Sequence, residues 1–122
     1  MATIQRIVHI RRIVHAIGTV APLLFAPDAV GAGVLWVWNA TGASITVNVD
    51  GIFGCNTSAG SQCTIPVADG SHKAIARAAD PSYEGALQRD FIITNDTHRW
   101  CIFADDDPSA KSRCEAWTNQ GQ

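Results

Sequence analysis

No excess of one charge marks this sequence. Its 122 residues carry nine Lys and Arg against eleven Asp and Glu, so no global basic field gathers nucleic acid. No apolar run reaches the roughly 20 residues that a comfortable membrane span needs. Mean hydropathy lies near zero, which excludes a polytopic membrane protein and a disordered tail alike. The motifs that announce catalysis are missing: there is no G-x-S-x-G, no H-E-x-x-H and no phosphate-cradling glycine loop. No C-x2-C pair is present, and the four Cys are spaced 8, 38 and 13 residues apart, which speaks against zinc. Aromatic residues make up only 7%, yet four of the nine are Trp. A chain of this length makes one domain and not two.

What is there begins with a distinct N-terminal stretch. Arg6, Arg11 and Arg12 are the only charges before Asp28, and an apolar stretch runs from Ile13 to Ala26. Val30 and Ala32 then supply small residues at a cleavage position. A basic segment, an apolar stretch and small residues read as a secretory signal peptide over residues 1–32, helical, with the cut after Ala32. An uncleaved anchor, or a helix kept in the fold, is the alternative; the residues after Arg11-Arg12 fit a twin-arginine signal poorly. Once cleaved, residues 33–122 would hold six Lys and Arg against ten Asp and Glu. That acidic balance suits a periplasmic or extracellular protein with no nucleic-acid partner and no membrane span.

Cys55, Cys63, Cys101 and Cys114 all follow the leader. An even number of Cys in an oxidising compartment reads as two disulfides. The shortest loops are closed by Cys55–Cys63 and Cys101–Cys114, each contributing about 2.5–3 kcal/mol by loop entropy.

Beyond residue 32 the pattern has period two, broken by turn signals every eight to twelve residues, as in an all-β fold. The expected strands are 34–39, 44–49, 52–55, 63–67, 71–79, 87–94 and 99–104. Asp50-Gly51 and Asp69-Gly70 are expected hairpin turns, and the segment around Asn95-Asp96 a third. The expectation is a small antiparallel β-sandwich of about seven strands over residues 33–104, with a polar tail, 105–122, tied back by a disulfide and no helix longer than about a turn. His72, Ala74, Ala76 and Ala78 line one strand face, which needs bulky groups opposite. Trp36 and Trp38 share a face and are expected to fill that space.

The stretch from Ile45 to Phe103 resembles a PEGA-type domain, a β-sandwich related to the carboxypeptidase regulatory-like (transthyretin-like) modules. The resemblance rests on V-N-V-D-G (47–51), I-P-V-A-D-G-S-H-K-A-I-A (65–76), Tyr83, F-I-I-T-N-D-T (91–97) and W-C-I-F (100–103). The P-E-G-A signature itself is absent, and the Cys55–Cys63 insertion is an addition. The resemblance implies an accessory or binding module of envelope and surface proteins, without catalysis.

Candidate site residues are few. Asp69, Ser71 and His72 are close in sequence, but neighbours on a strand point to opposite faces, so His72 reads as a hydrogen-bonded residue at a sheet end rather than part of a triad. Asp105-Asp106-Asp107 lacks the spacing of a calcium loop and reads as a solvated acidic turn. Asn39, Asn56 and Asn95 match the N-glycosylation pattern. Trp36, Trp38 and Trp117 are the candidate ligand-binding residues. The first two form either core or a platform for sugar rings, and Trp117 is the better exposed. The expected activity is therefore a secreted, non-catalytic module with a structural or binding role toward an envelope polymer, a glycan or a protein. The alternatives are a carbohydrate-binding domain, a subunit of a surface assembly pairing through sheet edges, and a protease inhibitor using the Asn56–Gln62 loop. No cofactor or metal is expected.

Overall fold

The structure, a computed structural model, describes residues 11–20 and 31–120. In chain order these residues form β1 (Arg11–Val20), β2 (Ala32–Asn39), β3 (Ile45–Val49), β4 (Ile52–Thr57), β5 (Gln62–Ala68), β6 (Gly70–Ala78), β7 (Tyr83–Glu84), β8 (Ala86–Ile93), β9 (Thr97–Ala104) and the helix α1 (Pro108–Asn119). The strands form two sheets, ordered β5-β2-β9-β1-β7 and β4-β3-β6-β8. The expected β-sandwich is there, stapled by Cys55–Cys63 and Cys101–Cys114 as the short loops suggested. It is not wholly antiparallel: β2 pairs with β9, and β1 with β7, in parallel.

Among the described residues, nine strands replace about seven. β7 is two residues long, and β1 arises where a helical leader was expected. Residues Ile13 to Val20 pair antiparallel with Ala104 to Thr97 of β9. The apolar run that suggested a leader also alternates: Ile13, His15 and Ile17 lie on the face of Ala104, Ile102 and Trp100, while Val14 and Ala16 pack with the outer cluster. β-branched Ile and Val at period two satisfy a strand as well as a leader. The rest of the expected leader, 1–10 and 21–30, lies outside the described residues.

Asp50-Gly51 is the expected hairpin turn, with φ of 54° and 79° joining β3 to β4. Positive φ at both central residues matches the right-handed twist of the flanking strands. Asp69-Gly70 is not a hairpin turn. β5 and β6 lie in different sheets, as do β8 and β9, so both connections arch from one sheet to the other. The turn residues mark where the chain reverses and say nothing of which sheet receives it.

The core lies between the sheets. Ala74 and Ala76 face it and are fully buried, and the bulk opposite them comes from Trp100, Leu35, Val37 and Ile102. This corrects the expectation for β2, whose Leu35, Val37 and Asn39 face inward while Trp36 and Trp38 face outward. The strand's alternation left both faces apolar, and the aliphatic one took the core.

Helix α1 corrects the expectation of a polar tail. Asp107 caps it by accepting the Ala110 N–H at 3.0 Å, and Pro108 opens it, a favoured start because Pro has no N–H to leave unpaired there. Its buried residues Ala110, Cys114, Trp117 and Thr118 recur at one-face spacing and lie against Cys101 and Phe103 on the outer side of the five-stranded sheet. The acidic turn before it is structural: Asp105 Oδ1 accepts the Arg12 N–H at 3.3 Å, and Asp106 pairs with Arg11 at 3.3 Å.

Candidate functional site

The three candidate Trp residues come together on the outer face of the five-stranded sheet. Trp36 and Trp38 project there from β2, and the one-face spacing of α1 brings Trp117 down between them. Trp117 meets Trp36 at 5.4 Å between ring centres and 82° between planes, and Trp38 at 5.7 Å and 63°. These are edge-to-face contacts, favoured by the ring quadrupole, and they do not build a flat platform. Trp117, expected to be the better exposed of the three, is 7% exposed. Its place under the helix, beside the Cys101–Cys114 bond, explains the burial.

Sequence reasoning missed Arg99. It stands on β9 next to Trp36 in register, with its guanidinium carbon 4.7 Å from the Trp36 ring centre and 5.0 Å from that of Trp117. One terminal nitrogen donates to the Trp117 carbonyl at 2.6 Å, which also accepts the Gln120 N–H at the end of α1. Its Nε is buried with no hydrogen-bond partner. The indole N–H groups are occupied: Trp36 donates to Gln62 Oε1 at 2.8 Å and Trp38 to the Gly60 carbonyl at 3.2 Å. The cluster binds α1, β9 and the β4–β5 loop into one body. Toward solvent it offers the half-buried sides of Trp36 and Trp38.

A second polar site lies at the end of the sandwich that carries the Asp50-Gly51 turn. His72 Nδ1 is 2.6 Å from Asp50 Oδ2, and Nε2 is 2.6 Å from the Ala68 carbonyl. A carboxylate and a carbonyl can only accept, so the ring donates from both nitrogens and is an imidazolium in this geometry. The Asp50 bond, then the Ala68 bond, raise the His72 pKa. The same His72 bond, then the Lys73 N–H, lower that of Asp50. His72 is thus a hydrogen-bonded residue at a sheet end. Asp69 is not its partner; its Oδ1 accepts the Asn95 N–H at 2.7 Å.

The clasp separates two open depressions. One, of about 510 Å³, is lined by Asp50, Ser71, Lys73, Asp90 and Ile92 among others. The other, of about 250 Å³, lies between β4 and β5 and is lined by Val49, Ile52, Phe53, Ile65 and Pro66 among others. Ile52, Phe53 and Ile92 around them are 71%, 61% and 64% exposed.

Of the three glycosylation matches, Asn39 is overturned. It is fully buried, and its Nδ2 donates toward the carbonyls of Ala43, Thr57 and Ser58 at 2.6–3.1 Å. Its Oδ1 accepts from the Thr41 N–H and hydroxyl. An acceptor nitrogen bonded to three carbonyls inside the fold takes no glycan. Among the described residues no three His, Cys, Asp or Glu side chains come together to hold a metal, and no helix is long and apolar enough to cross a membrane. Comparisons with family models, curated proteins and solved structures give no match.

Proposed function

We propose that the protein is a non-catalytic β-sandwich module working outside the reducing cytosol, periplasmic or extracellular, with a structural or binding role. The observation that carries this reading is the placement of the two disulfides. Each joins elements that no backbone ladder joins: Cys55–Cys63 ties β4 to β5 across the two sheets, and Cys101–Cys114 ties α1 to β9. Such bonds persist where thiols are oxidised. The PEGA resemblance supports the same role, since its motifs fall on β3, β5, β6, β7, β8 and β9. In this reading residues 11–20 stay in the working protein, because β1 covers the edge of β9, whose open backbone groups would otherwise invite pairing.

The test is the intact mass of the protein from its exporting cell, alkylated with and without prior reduction. The expected species retains residues 11–20 and shows four thiols only after reduction. Free thiols in the unreduced protein overturn the compartment. A chain starting at Gly33 leaves the compartment standing and removes β1 from the working fold.

A second reading, a subunit of a surface assembly, draws on Ile52 and Phe53, exposed on β4 at the edge of its sheet. Concentration-dependent sedimentation that Phe53→Ser abolishes supports it, and a monomer at every concentration sinks it.

A further inference from the structure

The groove between β4 and β5 is held at its two ends by different chemistry. Its walls come from both sheets: Val49, Ile52 and Gly54 from the four-stranded one, Ile65 and Val67 from the five-stranded one. At one end Cys55–Cys63 joins the strands covalently. Next to that bond the walls touch, because a Cβ on Gly54 would stand 2.5 Å from Ile65 Cδ1. At the other end stands His72. It belongs to β6 of the four-stranded sheet, and its Nε2 donates at 2.6 Å to the carbonyl of Ala68, the last residue of β5. Its Nδ1 is spent on Asp50 Oδ2 in the turn between β3 and β4, and Asp50 Oδ1 accepts the Lys73 N–H at 2.9 Å. Asp50 and His72 therefore belong to the four-stranded sheet as one unit. Of the bonds in this clasp, the one from Nε2 reaches across to the other sheet.

That crossing needs the second proton of the ring. A carboxylate and a carbonyl both accept, so a neutral imidazole serves one of them. The carboxylate keeps the remaining N–H, since a charged acceptor makes the stronger bond. Nε2 then turns a lone pair toward the Ala68 oxygen, and the crossing is lost. The neighbouring charges leave this exchange to Asp50. Asp69, in the arch between β5 and β6, accepts the Asn95 N–H. Lys73 and Asp90 lie opposite each other in register on β6 and β8, one residue away from His72 and Phe91 and so on the other face of the sheet. His98, bonded to Arg89, lies beyond Phe91, whose ring meets His72 at 5.4 Å and 31° and His98 at 5.4 Å and 26°.

We infer that His72 is a proton-operated latch on the β4–β5 groove: charged, it holds the two sheets together at the end opposite Cys55–Cys63; neutral, it lets them part there and bares the apolar walls. Val49 and Ile65, each 7% exposed in the latched form, are the walls that gain most. Release falls on the alkaline side of an ordinary His, because the bonds to Asp50 and then Ala68 favour the charged ring. The inference goes beyond the proposed role and needs no particular compartment, so the two fail separately.

The test uses the full chain and Nile red, an apolar dye without charge, from about pH 5 to about pH 10, with the His72 ring followed by NMR across the same range. Dye emission is expected to rise with pH through a midpoint that coincides with the His72 titration. His15 and His98 are held below the ordinary value, by burial first, and titrate on the acidic side of it. Asp50→Asn removes the charged acceptor and should move the midpoint down by about one pH unit or more. His72→Gln should abolish the step. Ile52→Ser, at an exposed wall position, should lower the emission at high pH and leave the His72 midpoint in place. Emission that is level with pH overturns the latch, as does a step that survives in His72→Gln or a midpoint unmoved in Asp50→Asn. A step that Ile52→Ser leaves at full height, or one that comes with loss of the near-ultraviolet Trp signal, also overturns it, because the surface bared is then not the groove.

Discussion

The two long sides of the sandwich are closed by different means. Along β4 and β5 the sheets are joined by Cys55–Cys63, and the loop between these strands is held by Asn39, buried beneath it with its amide spent on three carbonyls. Along β1 and β8 no covalent bond crosses. That side holds Arg89 bonded to His98, and His15 bonded to Trp100. One side is sensitive to reduction. The other has its stability tied to keeping two imidazoles neutral. A domain of this size has a modest core, so bonds at its sides matter to its stability.

The largest break in the comparison comes at Asn39. Asn39→Ala strips partners from buried carbonyls and from Thr41, and is expected to cost about 3 kcal/mol or more. Thermal or urea unfolding measures it. On the open side, Ile13→Ala removes a side chain that is 4% exposed in the core and should cost about 2–3 kcal/mol. An unchanged midpoint there would mean that β1 is no part of the folded protein. Replacing Cys55 and Cys63 together by Ser should cost about 2.5 kcal/mol, the loop entropy of an eight-residue separation, and should remove the dependence of that side on reductant.

How much of this contrast the sequence made legible follows from its residues. Strand alternation at Ile45, Val47 and Val49, the Asp50-Gly51 turn and the short Cys loops are local signals, and all stand in the structure. Sheet assignment after Asp69-Gly70 was not legible, because a turn fixes a reversal and a non-local partner fixes the sheet. Helix α1 was within reach: Asp107-Pro108 is a cap signal, and 110, 114, 117 and 118 form one face, yet the polar content of 105–122 hid them. Trp36 and Trp38 were correctly placed on one face, but two apolar faces on β2 left no way to tell which would enter the core. Trp117 and Arg99, far apart from them in sequence, complete the candidate cluster only through register and the helix. Arg89, His98 and His15 come from three strands, and nothing local joins them.

The pH profile sharpens the comparison next. His98 is held at about pH 4 by burial and then by Arg89, below its unfolded value of about 6.5. A depressed His pKa means that the unfolded chain binds the proton more readily. Stability should therefore fall as pH drops below about 6.5 and level off near 4. His15 adds to the same limb. His72 works in the opposite sense: its pKa is raised by Asp50 and Ala68, so its contribution is present below its unfolded pKa and is lost as pH rises through the folded one. Urea midpoints across pH should show both limbs. His98→Gln is expected to flatten the acidic limb and His72→Gln the alkaline one; an acidic limb unchanged in His98→Gln would separate the open side from acid sensitivity.

The smallest effect expected is at Ile17, and its smallness is informative. Ile17 shares the inward face of β1 with Ile13 and His15, but it is 37% exposed, because β1 lies at the edge of what the four-stranded sheet covers. Ile17→Ser should shift stability by no more than about 0.5 kcal/mol, as surface substitutions do. Set against Ile13→Ala, it measures how steeply burial falls along one strand. A cost at Ile17 near that at Ile13 would mean that this part of β1 is covered in solution. A cost near zero at Ile17 with a full cost at Ile13 describes a strand anchored where Ile13 faces Ala104 and exposed at Ile17 itself.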